Sequence, residues 1–387
     1  MLHYALLQLR RITSSGRFVP EIDGLRFAAI TSVVVYHLHG FVLAAGALPA
    51  AQDSFRTIAG HGYRGVNLFY VISGFILGLP FAAHHLKGKP AVPLESYFLR
   101  RLTRLEPPYI VNLLICFALL VASGASAWAL APHLGASLLY VHSLWFGHQS
   151  VINPVAWTLE IEVQFYCLVP VLASIFLVRS KLARRTVLVG VILLAGIAQI
   201  FYWDGPERIK LTICYAIQFF LTGLLLADVY VVDWNERPSP QWRWDLVSLL
   251  CWPLIFVPGD RSVWVYLPFL MLAAYVAAFK GVLFNRLFRN KFITAVGGMC
   301  YTIYLFHYQL ITAVLRFSKR LHPGGSFDAY FAVQLLVYAP ILLLISCFYF
   351  ALVERPCMAR DWPRRLYHRI ALLTRRIMGR RAEAVTS

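Results

Sequence analysis

Residues 23–40 read DGLRFAAITSVVVYHLHG, an apolar run with Arg26 near its start and His37 near its end. Coiled as a helix, the eleven-residue step from Arg26 to His37 is about three turns. The two side chains then share one face within roughly 20° and lie about 16 Å apart along the axis. A helix of this length and apolarity is a membrane crossing. Ionisable groups at membrane depth are costly, and are kept mainly where they face a partner or a cavity. A cation near one surface and a general base near the midplane suit a molecule with a charged head and a distant reactive end.

Runs of the same kind recur along the whole chain. We read ten: Arg26–Leu48, Tyr63–Ala83, Pro108–Leu130, Trp157–Val178, Val187–Trp203, Leu211–Val232, Trp244–Val257, Val263–Phe279, Ile293–Phe317 and Ala329–Val353. The seventh is short and carries Pro253. A further piece, His133–Phe146, is too short to cross and reads as an interfacial or re-entrant helix. The chain is 59% hydrophobic and 14% charged, with a mean hydropathy of +0.64. These values exclude an ordinary soluble domain and predict an all-α integral membrane protein of about ten transmembrane helices.

The net charge of +18 is a topology signal and does not predict a nucleic-acid partner. Basic residues alternate between loops. Arg10, Arg11 and Arg17 precede the first run, Lys87 to Arg104 follow the second, and Arg179 to Arg185 follow the fourth. Arg237 and Arg243 follow the sixth, Lys280 to Lys291 follow the eighth, and nine arginines follow Glu354. This positive-inside pattern places both termini in the cytoplasm. It predicts a multi-pass membrane protein in contact with anionic lipids.

Residues 1–22 read as a cytoplasmic segment, 23–354 as one membrane domain and 355–387 as a basic cytoplasmic tail. No cleavable signal peptide is expected, because residues 1–20 lack a sufficient apolar core. LHYALLQLRRI near the start and HRIALLTRRIMGRR near the end read as amphipathic helices lying on the membrane. The seven cysteines are isolated and read as small buried hydrophobes, with no metal site.

Four further segments carry polar groups into apolar surroundings. HGYRGVNLFYVISGF, residues 61–75, combines glycines suited to close helix approach with Asn67, a polar residue that needs a partner. YFLRRLTRLEPPY, residues 97–109, puts Arg101 and Arg104 one turn apart on a short helix, and Pro107–Pro108 open the next crossing. Arginine forks suit phosphate, although topogenic charge explains Arg100 as well. WTLEIEVQFYCLVP, residues 157–170, places Glu160 and Glu162 on different sides of a helix, with Trp157 and Tyr166 alongside. A buried carboxylate here would orient His37. In GGMCYTIYLFHYQLI, residues 297–311, Tyr301, Tyr304 and His307 form a polar stripe that would line the same cavity as His37.

Together these segments resemble the membrane acyltransferase-3 family, integral-membrane O-acyltransferases of bacterial surface glycans. Arg26 and His37 match its R-x10-H signature, and GYRGVNLFYVISGF is similar to its G-x-x-G-V-x-x-F-F-x-x-S-G-F segment. RLTRLEPPY resembles its R-x-x-R-x-x-P run, WTLEIEVQFY its W-S-L-x-x-E-x-x-F-Y, and YTIYLFH its S-Y-S-I-Y-L-x-H. The register selects Glu162 over Glu160. Tyr70, Thr158 and Glu106 depart from the pattern, and Glu106 places a negative charge beside the arginines.

The resemblance covers almost the whole chain. It implies transfer of an acyl group, acetyl above all, from cytoplasmic acyl-CoA to a hydroxyl of a surface or lipid-linked carbohydrate at the outer face. It assigns His37 and Glu162 to catalysis, Arg26, Arg101 and Arg104 to acyl-CoA, and Trp157, Tyr166, Tyr304 and His307 to substrate. Acetyl-CoA is a co-substrate, with no permanently bound cofactor or metal. An esterase-like domain that some members carry is not expected in this chain. A flippase or transporter of glycan intermediates, and a non-catalytic scaffold, remain as alternatives. The first would show inverted repeats, which the sequence does not display.

Overall fold

Inside hydrocarbon every backbone amide must be satisfied within the chain, and a helix does this locally. The computed structural model describes residues 9, 11–12, 18–45, 54–257, 259–321, 327–359 and 361–362; among them there are helices and turns and no strand. The two amphipathic helices expected near the ends fall mainly outside the described residues.

The principal helices are α1 (Pro20–Ala44), α2 (Gly65–Lys87), α3 (Leu94–Ala122), α4 (Ala127–Leu138), α5 (His142–Phe146), α6 (Trp157–Leu172) and α7 (Lys181–Phe201). They continue as α8 (Ile213–Val232), α9 (Arg243–Phe256), α10 (Val263–Lys280), α11 (Lys291–Gly298), α12 (Cys300–Ser318) and α13 (Phe327–Tyr349). With their flanking turns, eight are long and apolar enough to cross a membrane: α1, α2, α3, α6, α7, α8, α10 and α13. The other two expected crossings fall short of that measure. Helix α9 has 14 residues, a rise of about 21 Å against a hydrocarbon core of about 30 Å. Helix α12 has 19 residues but carries Tyr301, Tyr304, His307, Gln309 and Arg316.

Three boundaries differ from the sequence reading. Helix α3 begins at Leu94 and runs unbroken through Pro107 and Pro108, so the arginines belong to the same rod as the crossing. Proline is tolerated inside membrane helices because neighbours can satisfy the freed carbonyls. The ninth run divides at Met299 into α11 and α12. His133–Phe146 divides into α4 and α5 around Tyr140, whose φ is 57°. The cysteines also split: Cys116, Cys251, Cys300 and Cys357 are buried, whereas Cys167 and Cys214 are exposed.

The packing is organised around α1, whose buried residues enter two apolar clusters. Ile22, Leu25 and Ala29 join the cluster of α2, α6, α8 and α10. Ile30, Val33, Val34, Leu38 and Val42 join that of α3, α12 and α13. Helices α2 and α8 pack backbone against backbone. A Cβ on Gly223 would lie 2.3 Å from Val71 O and 2.4 Å from Phe75 N, and one on Gly74 would lie 2.1 Å from Phe220 O. Small residues are what bring helices together in a membrane, where lipid is as apolar as leucine.

Ion pairs fix the basic end of α7. Arg184, which the sequence presents as topogenic charge, is buried and paired with the buried Asp228 of α8. Arg185 reaches Asp228 at 2.6 Å and Asp233 at 2.9 Å.

Gly223→Ala should therefore lower the melting temperature in detergent, with a cost of about 1–3 kcal/mol typical of overpacking. Gly190→Ala, where an added Cβ meets nothing within 4 Å, should leave it unchanged or higher. Equal effects in the two variants would show that α2 and α8 are not held at contact distance.

Candidate active site

Two cavities lie back to back along α1. The first, about 120 Å³, is lined by four arginines, Arg11, Arg26, Arg101 and Arg104, together with Glu162, Glu354, Ser73, Tyr166 and Tyr301. The second, about 720 Å³, is lined by His37, Asn67, Gln149, the indoles of Trp157, Trp203 and Trp264, several tyrosines, and Asp204, Glu207 and Lys210. Val66, Tyr70, Thr158 and Tyr304 line both. They form the wall between a cationic chamber and an aromatic one.

In the cationic chamber the arginines are not equivalent. Arg26 pairs with Asp23 one turn away on α1, and Arg11 stands 3.6 Å from the same carboxylate. Arg101 stands over the rings of Tyr97 and Tyr166, 5.7 and 5.8 Å from their centroids, a cation–π arrangement that leaves its edge available to an anion. Glu354 sits in a π-helical turn, Phe350–Glu354. It accepts from Thr302 N at 3.2 Å and Thr302 Oγ1 at 2.5 Å. Glu106 does not line this chamber.

In the aromatic chamber the protonation of His37 can be read from its partners. Its Nδ1 lies 3.1 Å from Val33 O, a carbonyl that can only accept, so Nδ1 carries the proton. His307 Nδ1 lies 2.7 Å from Tyr304 O and is a donor for the same reason, which leaves His307 Nε2 an acceptor. That nitrogen stands 3.1 Å from His37 Nδ1. The proton on His37 is thus shared between Val33 O and His307, and His37 Nε2 keeps its lone pair. His307 is fully buried, and Tyr338 Oη bonds its carbonyl at 2.8 Å.

The wall is hydrogen-bonded in a defined sense. Tyr304 Oη donates to Val155 O at 2.5 Å, so Thr158 Oγ1, 2.6 Å away, donates to Tyr304.

The expected site residues therefore divide. Arg26, Arg101, Arg104, Glu162 and Tyr166 meet in the cationic chamber, whereas His37 and Trp157 stand in the aromatic one; Tyr304 faces both. The expected contact of Glu162 with His37 is absent. Glu162 Oε1 accepts from Ser73 Oγ at 2.7 Å, because the helix turns it toward α2 and the arginines. The imidazole partner of His37 is His307, expected instead among substrate contacts. Glu160 points away from both chambers, fully buried, and its Oε2 accepts from Ser143 N at 2.8 Å.

Sequence reasoning did not single out Trp203, Trp264, Asp204 or Glu207. The available signal was the loop YWDGPER, residues 202–208, dense in aromatic and charged groups between two crossings. Nor did it find the buried Arg64, which donates to Ile255 O at 2.7 Å and Val257 O at 2.8 Å and so ties the start of α2 to the end of α9.

Comparison with known proteins agrees with this arrangement of motifs. A family model described as "Acyltransferase domain" matches residues 19–354. O-acetyltransferase OatA of Staphylococcus aureus, in strains NCTC 8325 and MRSA252 alike, is 25% identical over 372 residues, covering 88% of this chain and 57% of its own length. The chain thus spans little more than half the length of these relatives. No solved structure matches the chain.

His37 Nε2 faces a cavity and His307 does not. Diethyl pyrocarbonate applied to the folded protein should therefore modify His37 and spare His307, as read by peptide mass spectrometry. Comparable modification of both would show that the buried histidine pair does not form.

Proposed function

The chain belongs to the membrane acyltransferase-3 family, and from that premise we propose that it transfers an acyl group, acetyl in the first instance, from cytoplasmic acyl-CoA to a hydroxyl of a surface or lipid-linked carbohydrate at the outer face of a bacterial inner membrane. One observation carries the reading: an arginine-lined chamber and a chamber holding a free imidazole nitrogen share a wall one side chain thick. The name of the staphylococcal relatives, O-acetyltransferase, supports acetyl as the group and oxygen as the acceptor atom.

In this reading the phosphates of acyl-CoA meet Arg101 and Arg104, which offer planar forks suited to phosphate oxygens. Arg26, committed to Asp23, contributes by lining the chamber rather than as an unpaired cation. The thioester reaches the shared wall. The acceptor sugar lies among Trp157, Trp203 and Trp264, whose flat apolar faces suit the C–H face of a pyranose. His37 Nε2 takes the proton of the acceptor hydroxyl as its oxygen attacks the thioester carbonyl carbon. The carbonyl π electrons move to oxygen, then return and expel the CoA thiolate, which takes the proton from His37. The products are an ester and free CoA. While His37 holds the extra proton, its Nδ1–H points at the lone pair of His307, which fills the place a carboxylate takes in other base–orienter pairs. Membrane lipid is the surrounding solvent and nucleic acid has no part.

The test is transfer of radiolabelled acetyl from acetyl-CoA by the purified full chain in detergent, with mass spectrometry of surface glycans from cells with and without it. An acetyl-sized mass difference and labelled ester are expected; their absence would overturn the reading. His37→Ala should abolish transfer while the protein still accumulates in the membrane. His307→Phe should lower kcat by about 10²-fold or more, within the range for general-base assistance, with KM nearly unchanged. Arg101→Ala and Arg104→Ala should instead raise KM for acetyl-CoA, each by about 10-fold or more, as expected for a hydrogen bond to a charged group.

A further inference from the structure

Acyl transfer places a negative charge on the carbonyl oxygen of the thioester, and neither histidine nor arginine answers it. His37 Nε2 serves the attacking hydroxyl, and the arginines lie in the other chamber. Resting on the acyl-transfer reading above, we infer that the side-chain amide of Asn67 and the hydroxyl of Tyr70 form the oxyanion site of this reaction.

Both groups are hydrogen-bond donors that the fold leaves without an acceptor. Asn67 Nδ2 and Tyr70 Oη are buried and have no hydrogen-bond partner among the described residues, and Tyr70 is 4% exposed overall. Buried donors are normally paired, and an unpaired one beside a cavity is free to serve a molecule bound there. The two lie three residues apart on α2, which puts them on one face of the helix. That face borders the reaction space: Asn67 is among the residues lining the chamber of His37, and Tyr70 stands in the wall common to both chambers. The other hydroxyls of that wall are committed, Tyr304 to Val155 O and Thr158 to Tyr304. Asn67 and Tyr70 are thus the donors that remain where donor thioester and acceptor hydroxyl would meet.

The start of α2 is also held firmly. A Cβ on Gly65 would lie 2.4 Å from Ala29 O and 2.3 Å from Ser32 Oγ, so this turn touches α1 about two turns before His37. Arg64, one residue earlier, is anchored to the end of α9 through two carbonyls. Donors fixed before the reaction stabilise a developing charge without reorganising at the moment it appears.

The oxygen that accepts the carbonyl π electrons receives the Asn67 N–H and the Tyr70 O–H. Both hydrogen bonds strengthen with the charge and relax when the thiolate leaves, and neither group changes protonation.

The test uses the full-length protein purified in detergent and hydrolysis of radiolabelled acetyl-CoA, in which water replaces the unidentified acceptor. Asn67→Ala and Tyr70→Phe should each lower kcat by about 10²–10³-fold, the loss seen when one oxyanion donor is removed, with KM for acetyl-CoA within about twofold of the parent. Asn67→Asp, isosteric but lacking both N–H donors and carrying a negative charge, should be at least as impaired as Asn67→Ala. It keeps the test open where the alanine variant does not fold. Gln309→Ala removes another buried amide without a partner, outside both chambers, and should leave kcat unchanged. Parent-like kcat in Asn67→Ala and Tyr70→Phe, or a raised KM with kcat intact, would overturn the assignment while leaving the acyl-transfer reading in place. A parent protein that neither hydrolyses nor transfers acetyl would instead overturn the acyl-transfer reading, and the oxyanion site with it.

Discussion

The contact between His37 and His307 is the interaction on which the arrangement turns. A fully buried imidazole against a half-buried one is a costly pair unless each nitrogen has a defined role, because an unpaired donor or a proton on the buried ring has no water to solvate it. Here two backbone carbonyls settle the matter. Val33 O and Tyr304 O can only accept, so each fixes a proton on an Nδ1. The nitrogen left to His307 must then accept, and the nitrogen left to His37 must face the chamber with a lone pair. A helix supplies the first of these carbonyls at no extra cost, since Val33 lies one turn before His37 on α1. The second comes from α12, whose separate start at Cys300 allows Tyr304 and His307 to be aimed independently of α11. The break at Met299 therefore belongs to the site as much as to the fold.

Close helix packing gives this pair its surroundings. Gly74 and Gly223 bring α2 against α8, and Gly65 brings the start of α2 against α1. Asn67 and Tyr70 lie close to the face of α2 that carries Gly74, and Ser73 stands beside it. A larger residue at Gly65 would move the whole polar face away from α1. The glycines of GYRGVNLFYVISGF and its polar residues thus act as one unit: the first set fixes the distance at which the second can work.

Much of this was legible in the sequence. The apolar runs announced a helical membrane protein, because 20 apolar residues in series have few other uses. The eleven-residue step from Arg26 to His37 placed both on one face of a single helix. Four of the polar segments also converge, as their composition suggested. What the sequence could not convey was direction. Glu162 and His307 were both visible as polar residues in apolar runs, but which of them faces His37 depends on how α6 and α12 are rotated, and no local pattern encodes that rotation. The helix boundaries failed for a related reason. Pro107 and Pro108 read as a start signal, yet in a membrane bundle neighbouring helices let the helix run through them. Arg184 read as a surface charge because its partner, Asp228, lies 44 positions away.

The distribution of charge between the chambers adds a constraint of its own. Four arginines line the smaller chamber, and three indoles with a scatter of mixed charge line the larger one. A phosphate group gains from the first and little from the second; a sugar ring gains from stacking in the second and would leave the arginines of the first unmatched. Two ligands of such different chemistry sort themselves without a gate that recognises either. In the proposed reaction their reacting ends meet at Val66, Tyr70, Thr158 and Tyr304, the residues both chambers share. The proposal places the chemistry at this wall, and two of its four members, Thr158 and Tyr304, already spend their hydroxyls on each other and on Val155. Val66 has no polar side-chain atom. Of the four, Tyr70 alone has a hydroxyl left to give.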